Sequence, residues 1–214
     1  MSRPPSILIV CALASELDGF VCPAGAEIVT CGVGPVEAAA ATAQALAGGR
    51  YEAVVNAGIA GVFPGRGRVG DAFVVADETL ADFGLEGGAT LALPDGVTLV
   101  QHVRSASVLL EAAVRTSLGL VRGVTVSAIT TTDPTALRLR EAYGADVESM
   151  EGFAVLRAAE RAGIPAIEVR GISNFVGDRA RAQWDFRAGS RAAVVALSSL
   201  MAVLAGALGD RAQT

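Results

Sequence analysis

The stretch Tyr51-Glu52-Ala53-Val54-Val55-Asn56-Ala57-Gly58-Ile59-Ala60-Gly61 decides the fold. Its first half is apolar and does not alternate with polar residues, as expected of a strand buried on both faces. The expected strand is Tyr51–Asn56, ending in the glycine-rich run 57–61. Ser6–Cys11 and Pro165–Ile172 have the same character, and Glu27–Cys31 reads as a further strand. Helical stretches lie between them. Gly32-Val33-Gly34-Pro35 opens a helix reaching about Ala47, with Pro35 tolerated in its first turn. Met150–Ala162 is a helix stopped by Gly163 and Pro165. Further out, Leu13–Phe20 reads as a short helix, Val69–Glu78 as a strand, Val103–Leu118 as a helix and Gly123–Thr131 as a strand. Asp133, as N-cap, and Pro134 start a helix running to Tyr143, and Asp185 caps a terminal helix. Asp82–Gly96 reads as loop or irregular hairpin. This βα alternation predicts an α/β fold: a three-layer αβα sandwich around a central mixed, largely parallel sheet. No repeat or linker divides the chain, so residues 1–214 are expected to form one domain.

Composition narrows the functional classes. Hydrophobic residues make up 52% and charged residues 18%, enough for a large core. The net charge of -5 and the scattered 17 Lys and Arg residues argue against nucleic acid as a partner. Cys11, Cys22 and Cys31 have no CxxC spacing, and the single His102 leaves no His-rich cluster, so neither a metal nor another cofactor is expected. An odd number of thiols without a secretory signal points to the cytoplasm. The run Ala192–Leu208 is apolar, but it is interrupted by Gly206 and short of the roughly 20 residues that cross a bilayer. A packed helix is expected there, and no membrane partner.

Ligands of such sheets bind beyond the carboxyl ends of the strands. That rule selects Glu16, Gly32–Gly34, Asn56–Gly61, Thr130–Asp133, Glu148–Glu151 and Ser173–Asp178. A carboxylate such as Glu16 at a strand mouth can act as a general base toward water, although from position alone a solvated surface residue explains it better. Gly32-Val33-Gly34 before a helix suits close backbone approach to a ligand; it also makes an ordinary tight turn. Glu148 and Glu151 flank a helix start, where negative charge is favoured in any case. Glu151 beside Met150 also suits a sugar, with the carboxylate accepting from a vicinal diol and the thioether against the ring. Asn174 offers one donor and one acceptor, fit for a purine edge or for capping a turn.

Taken together, these motifs resemble the purine and uridine nucleoside phosphorylase and nucleosidase superfamily, whose members cleave a ribosyl–base bond. The likeness runs through Glu16, Gly32-Val33-Gly34, Asn56–Gly61, Val69-Gly70-Asp71, Ser149-Met150-Glu151-Gly152 and Arg170-Gly171-Ile172-Ser173-Asn174. Within the superfamily, Ser149–Gly152 and Ile172–Arg179 most resemble the futalosine hydrolases, nucleosidases of menaquinone biosynthesis. The resemblance implies a nucleoside phosphorylase-like fold and a homo-oligomer, dimer or tetramer. It implies that Glu16 activates water and that Glu151, with Met150, binds the ribose. Residues 126–130 would line the base pocket, and Gly58, Ile59, Thr130, Ser173 and Asp178 are further expected contacts. The phosphorylases have Arg and Ser or Thr where this chain has Asn56 and Ile59, so water is the expected nucleophile. Adenine-specific nucleosidases have an Asp that serves as acid where this chain has Asn174. An amide cannot deliver that proton, but it can hold N7 and O6 of a 6-oxopurine, so hypoxanthine is the expected leaving base. Two alternatives remain at this level: an adenine nucleosidase acting on methylthioadenosine or S-adenosylhomocysteine with Asp178 as acid, and a non-catalytic nucleoside-binding protein. Arg179 or Arg181 is the nearest cation for a benzoate at the 5′ side.

Overall fold

The structure, a computed structural model, describes residues 6–84, 93–178 and 184–211. Eight strands form one sheet: β1 (Ile7–Cys11), β2 (Ala26–Thr30), β3 (Ala53–Val62), β4 (Ala72–Leu80), β5 (His102–Arg104), β6 (Gly119–Thr125), β7 (Val147–Ser149) and β8 (Ala166–Phe175). Among the described residues five α-helices accompany them: α1 (Pro35–Gly48), α2 (Ser107–Ala113), α3 (Asp133–Tyr143), α4 (Gly152–Arg161) and α5 (Phe186–Arg211). β1 runs parallel to β2 and β3, β3 parallel to β8, and β6 parallel to β4 and β7. β8 meets β4 antiparallel, as do β5 and β4 and the ends of β3 and β7. The sheet is therefore mixed and largely parallel.

The central strands are apolar on both faces because both faces are covered. Ile7, Ile9, Val55, Ile167 and Val169 pack against α2 and α5 through Leu109, Ala112, Leu197, Leu200 and Leu204. Their neighbours in sequence, Leu8, Val10 and Val54, point the other way, onto Ala38 of α1 and Phe153–Leu156 and Ala159 of α4. This alternation within continuous apolar runs is what three layers require. α5 has the length and composition to cross a membrane over Phe186–Leu208, yet one side of it, from Ala193 to Leu208, is packed against the sheet.

Several boundaries differ from expectation. β3 does not stop at Asn56; the glycine-rich run stays in the sheet to Val62, because β8 continues beside it. The expected helix Val103–Leu118 is instead β5 followed by the shorter α2, since His102–Arg104 pair with β4. β6 begins at Gly119 and ends at Thr125, so 126–131 lie beyond the strand. Leu13–Phe20 contains only a 3-10 turn, Ala14–Leu17. The N-cap of α3 is Thr132, whose hydroxyl accepts from the Thr135 amide, and Asp133 is the first helical residue. Asp185 does cap α5, accepting the Ala188 amide at 2.8 Å. The expected loop 82–96 lies partly outside the described residues.

Candidate active site

The carboxyl ends of β1, β3, β7 and β8 converge on a cavity of about 180 Å³. Glu16, Ile59, Met150, Glu151, Ser173 and Asn174 all line it. Ala12, Leu13, Val33, Ala60, Gly61, Ile129, Glu148, Ser149, Trp184 and Phe186 complete the wall. The wall is mostly apolar with a few convergent polar groups, as small-molecule sites are.

The 3-10 turn after β1 folds Glu16 back under the strand end. Its Oε2 accepts the amides of Ala12 at 3.2 Å and Leu13 at 3.3 Å. Burial raises its pKa above the usual glutamate value, and the charge of Arg170 offsets only part of that. Glu151 stands at the N-terminus of α4, where its Oε1 accepts the Gly34 amide at 3.0 Å. That bond joins residues 117 apart and depends on the turn before α1, in which Gly32 and Gly34 have φ of +88° and +97°.

Arg170 lies behind both carboxylates, 1% exposed. Its Nε donates to Glu168 Oε1 at 2.7 Å and its Nη1 to the Ile59 carbonyl at 3.2 Å; Nη1 also lies 3.6 Å from Glu151 Oε2. Burial opposes its charge, but Glu168 and Glu151 outweigh that and raise its pKa. A Cβ at Gly58 would come within 2.9 Å of both Arg170 Nη1 and Glu16 Oε2. Gly58 thus leaves the space in which arginine and glutamate meet.

Asn174 sits on β8 opposite Gly61 of β3, and Gly61 in turn pairs with Glu148 of β7. The Ser173 hydroxyl donates to Asn174 Oδ1 at 2.8 Å, and Asn174 Nδ2 donates to the Phe175 carbonyl at 3.1 Å. The amide is thereby oriented, with one Nδ2 hydrogen left for a ligand. Across Gly61, Glu148 accepts from the Thr130 amide at 3.0 Å and from its hydroxyl. Burial raises the Glu148 pKa, and the two Thr130 bonds offset part of the rise.

The structure brings together six of the nine residues singled out from sequence: Glu16, Ile59, Met150, Glu151, Ser173 and Asn174. Gly58, Thr130 and Asp178 are not in the cavity wall. Gly58 makes room for the charges behind it, Thr130 holds Glu148, and the Asp178 amide donates to Asp133 Oδ1 at 2.9 Å. Of residues 126–130 only Ile129 lines the cavity, while Val126 packs in the core with α3. Arg179 and Arg181 lie outside the described residues.

Sequence reasoning assigned no role to Arg170 or Glu168. The available signal was charge inside a strand otherwise apolar on both faces, which is costly unless the charges pair. Trp184 and Phe186, with ring centroids 5.2 Å apart, were also missed. They reach the cavity because the Asp185 amide is tied to the Ser173 carbonyl at 2.8 Å.

The family model described as the phosphorylase superfamily matches residues 26–208, and the chain belongs to that superfamily. Within it the chain falls in the futalosine hydrolase family: it is 39% identical to the futalosine hydrolase of Streptomyces coelicolor over 85% of this chain and 81% of that protein. It is 32% identical to that of Thermus thermophilus, over 82% and 81% of the two chains. Solved structures share the fold. A methylthioadenosine/S-adenosylhomocysteine nucleosidase from Colwellia psychrerythraea, in complex with adenine, superposes with a TM-score of 0.79 at 22% identity, covering 96% of each chain. The Helicobacter pylori futalosine hydrolase superposes with the same TM-score at 16% identity, over 92% of this chain and 97% of that one.

Proposed function

We propose that this protein hydrolyses the N-glycosidic bond of futalosine, releasing hypoxanthine and dehypoxanthine futalosine in menaquinone biosynthesis. The observation that carries the reading is the convergence of Glu16, Glu151 and Asn174 on one cavity in a chain 39% identical to a futalosine hydrolase. Glu151 accepts the ribose hydroxyls, with Met150 against the sugar. The glycosidic bond stretches toward an oxocarbenium-like sugar, and water attacks C1′. Glu16 takes up the proton from that water. Arg170, beside the two carboxylates, favours the ionised form of Glu16 by its charge. Asn174 Nδ2 donates to the purine as the bonding electrons move onto the ring, so the base leaves with anionic character; it takes a proton from solvent, and Glu16 releases to solvent the proton it took from water.

Asn56 is buried in β3 opposite Glu168, away from the cavity wall, and Ile59 presents an aliphatic side chain to the cavity. Neither supports a phosphate site of the kind the phosphorylases use, which favours water. The protein is proposed to work in the cytoplasm as a homo-oligomer without metal or cofactor. Incubation of the pure protein with futalosine and, separately, with methylthioadenosine tests the substrate. Hypoxanthine from the first is the expected result; adenine from the second with no hypoxanthine from the first would overturn it.

A further inference from the structure

Beneath the cavity lies a second group of charges that the proposed chemistry does not use. Glu78 of β4 and Glu168 of β8 are both 0% exposed. Glu78 Oε1 and Glu168 Oε2 are both buried outside hydrogen-bond geometry with the protein, and the equally unpartnered Asn56 amide is the other polar group beside Glu168. Each lies 2.6 Å from the point a Cβ on Gly152 would occupy, so that glycine leaves room for both carboxyl groups side by side. The remaining oxygens are fixed. Thr125 Oγ1 donates to Glu78 Oε2 at 2.7 Å and accepts the Phe153 amide at 2.8 Å, while Glu168 Oε1 holds Arg170 Nε.

Two ionised carboxylates side by side in the dry interior would repel strongly, and Arg170 is the one cation facing them among the described residues. A proton between the two unpartnered oxygens removes the repulsion and satisfies both atoms at once. We propose that Glu78 and Glu168 share one proton, carried mainly by Glu78, and that this keeps Glu168 anionic toward Arg170 as a positioning residue for the hydrolase. Burial raises the Glu78 pKa well above the usual glutamate value, and the Glu168 charge adds to the rise. The groups facing Glu78 from each packed element are Asp77 on its own strand, Glu168 and Arg170 on β8, and Thr125 on β6. Only Arg170 favours an ionised Glu78 by its charge. Arg170, Glu151 and the Asn56 amide face Glu168, whose pKa burial again raises; the Arg170 Nε bond at 2.7 Å gives Glu168 the cation and leaves the proton to Glu78.

The consequence reaches the cavity through Arg170. Its Nε is oriented by Glu168, and its Nη1 faces Glu16 and Glu151. Without the Glu168 charge, the guanidinium loses its strongest partner and both cavity carboxylates lose a fixed cation. This part rests on the proposed hydrolase reading; the shared proton does not.

The two parts are therefore tested separately. Infrared difference spectroscopy of the wild-type protein, without substrate, should show a protonated carboxylic acid at neutral pH that Glu78→Gln removes. Spectra without such a band, or with a band untouched by that substitution, would overturn the shared proton. For the positioning role, Glu168→Gln should lower kcat on the order of tenfold to a hundredfold, the value of a charged hydrogen bond, with a smaller change in KM. It should also shift the acidic limb of the pH–kcat/KM profile. Glu78→Gln, which mimics the protonated acid, should lower kcat far less. Equal losses in the two variants, or a Glu168→Gln effect confined to KM, would overturn positioning. Should futalosine fail as substrate, the spectroscopy still decides the proton.

Discussion

Burial is the largest of the effects on the Glu16 carboxyl, and its reactivity should carry that mark. A general base must be ionised to accept a proton, and the Glu16 pKa is raised chiefly by desolvation. Activity should therefore fall, as pH is lowered, at a pH above the ordinary glutamate value; the acidic limb of kcat/KM against pH checks this. Glu16→Gln keeps the shape and removes the base. It should cost roughly 10²–10⁴ in kcat, with an unchanged circular dichroism spectrum, measured by hypoxanthine release. Asn174 tests the choice of base. Asn174→Asp replaces a donor by a group that can shuttle a proton, so the rate with methylthioadenosine should rise relative to that with futalosine. A ratio that stays constant would detach Asn174 from base selection. In the sequence, Glu16, Glu151 and Asn174 are visible as residues at strand mouths, but Glu16 and Glu151, taken alone, have better ordinary explanations and Asn174 has a common one. Their meeting on one wall is what favours the functional reading of all three.

At the scale of elements, β8 and α5 meet with almost no space between them. A Cβ on Gly171 would lie 2.1 Å from the Gly189 carbonyl oxygen and 2.4 Å from the Ala193 amide nitrogen, both backbone atoms of α5. Backbone cannot rotate away, so Gly171→Ala must push the helix off the strand. The expected loss is at least the roughly 1–3 kcal/mol of an overpacked core, read as a lowered Tm in thermal denaturation. Activity should fall with it, because the same strand carries Arg170, Ser173 and Asn174. The β3–β8 pairing also explains why the glycine-rich stretch 57–61 was read too short. Its composition is that of a turn, but β8 pairs with it as far as Val62. Likewise the apolar period in 103–118 suggests one helix, whereas pairing of His102–Arg104 with β4 takes the first residues into the sheet. Local preference lost to a partner strand in both places.

For the whole molecule, the buried carboxyls couple stability to pH. Glu16, Glu78, Glu148 and Glu168 all have raised pKa values, each with burial as the largest cause. Between the ordinary glutamate pKa and these raised values, the folded state binds more protons than the unfolded chain. Stability from these groups is therefore fully present below the unfolded value and is lost as pH rises through the folded values. The Tm should decline over that window, and Glu78→Gln should flatten the decline; an unchanged slope in that variant would deny Glu78 its part. The sequence by itself determined the α/β class, the strands buried on both faces and the family, because apolar runs and motif order are local properties of the chain. It also exposed the residues that reach the cavity from strand ends. Tertiary structure alone decided that Arg170 lies beside Glu16 and Glu151, that Glu78 and Glu168 both reach the space beside Gly152, and that the Gly34 amide holds Glu151. Those contacts join distant parts of the chain, and the energy of a buried charge depends on which partners the fold brings to it.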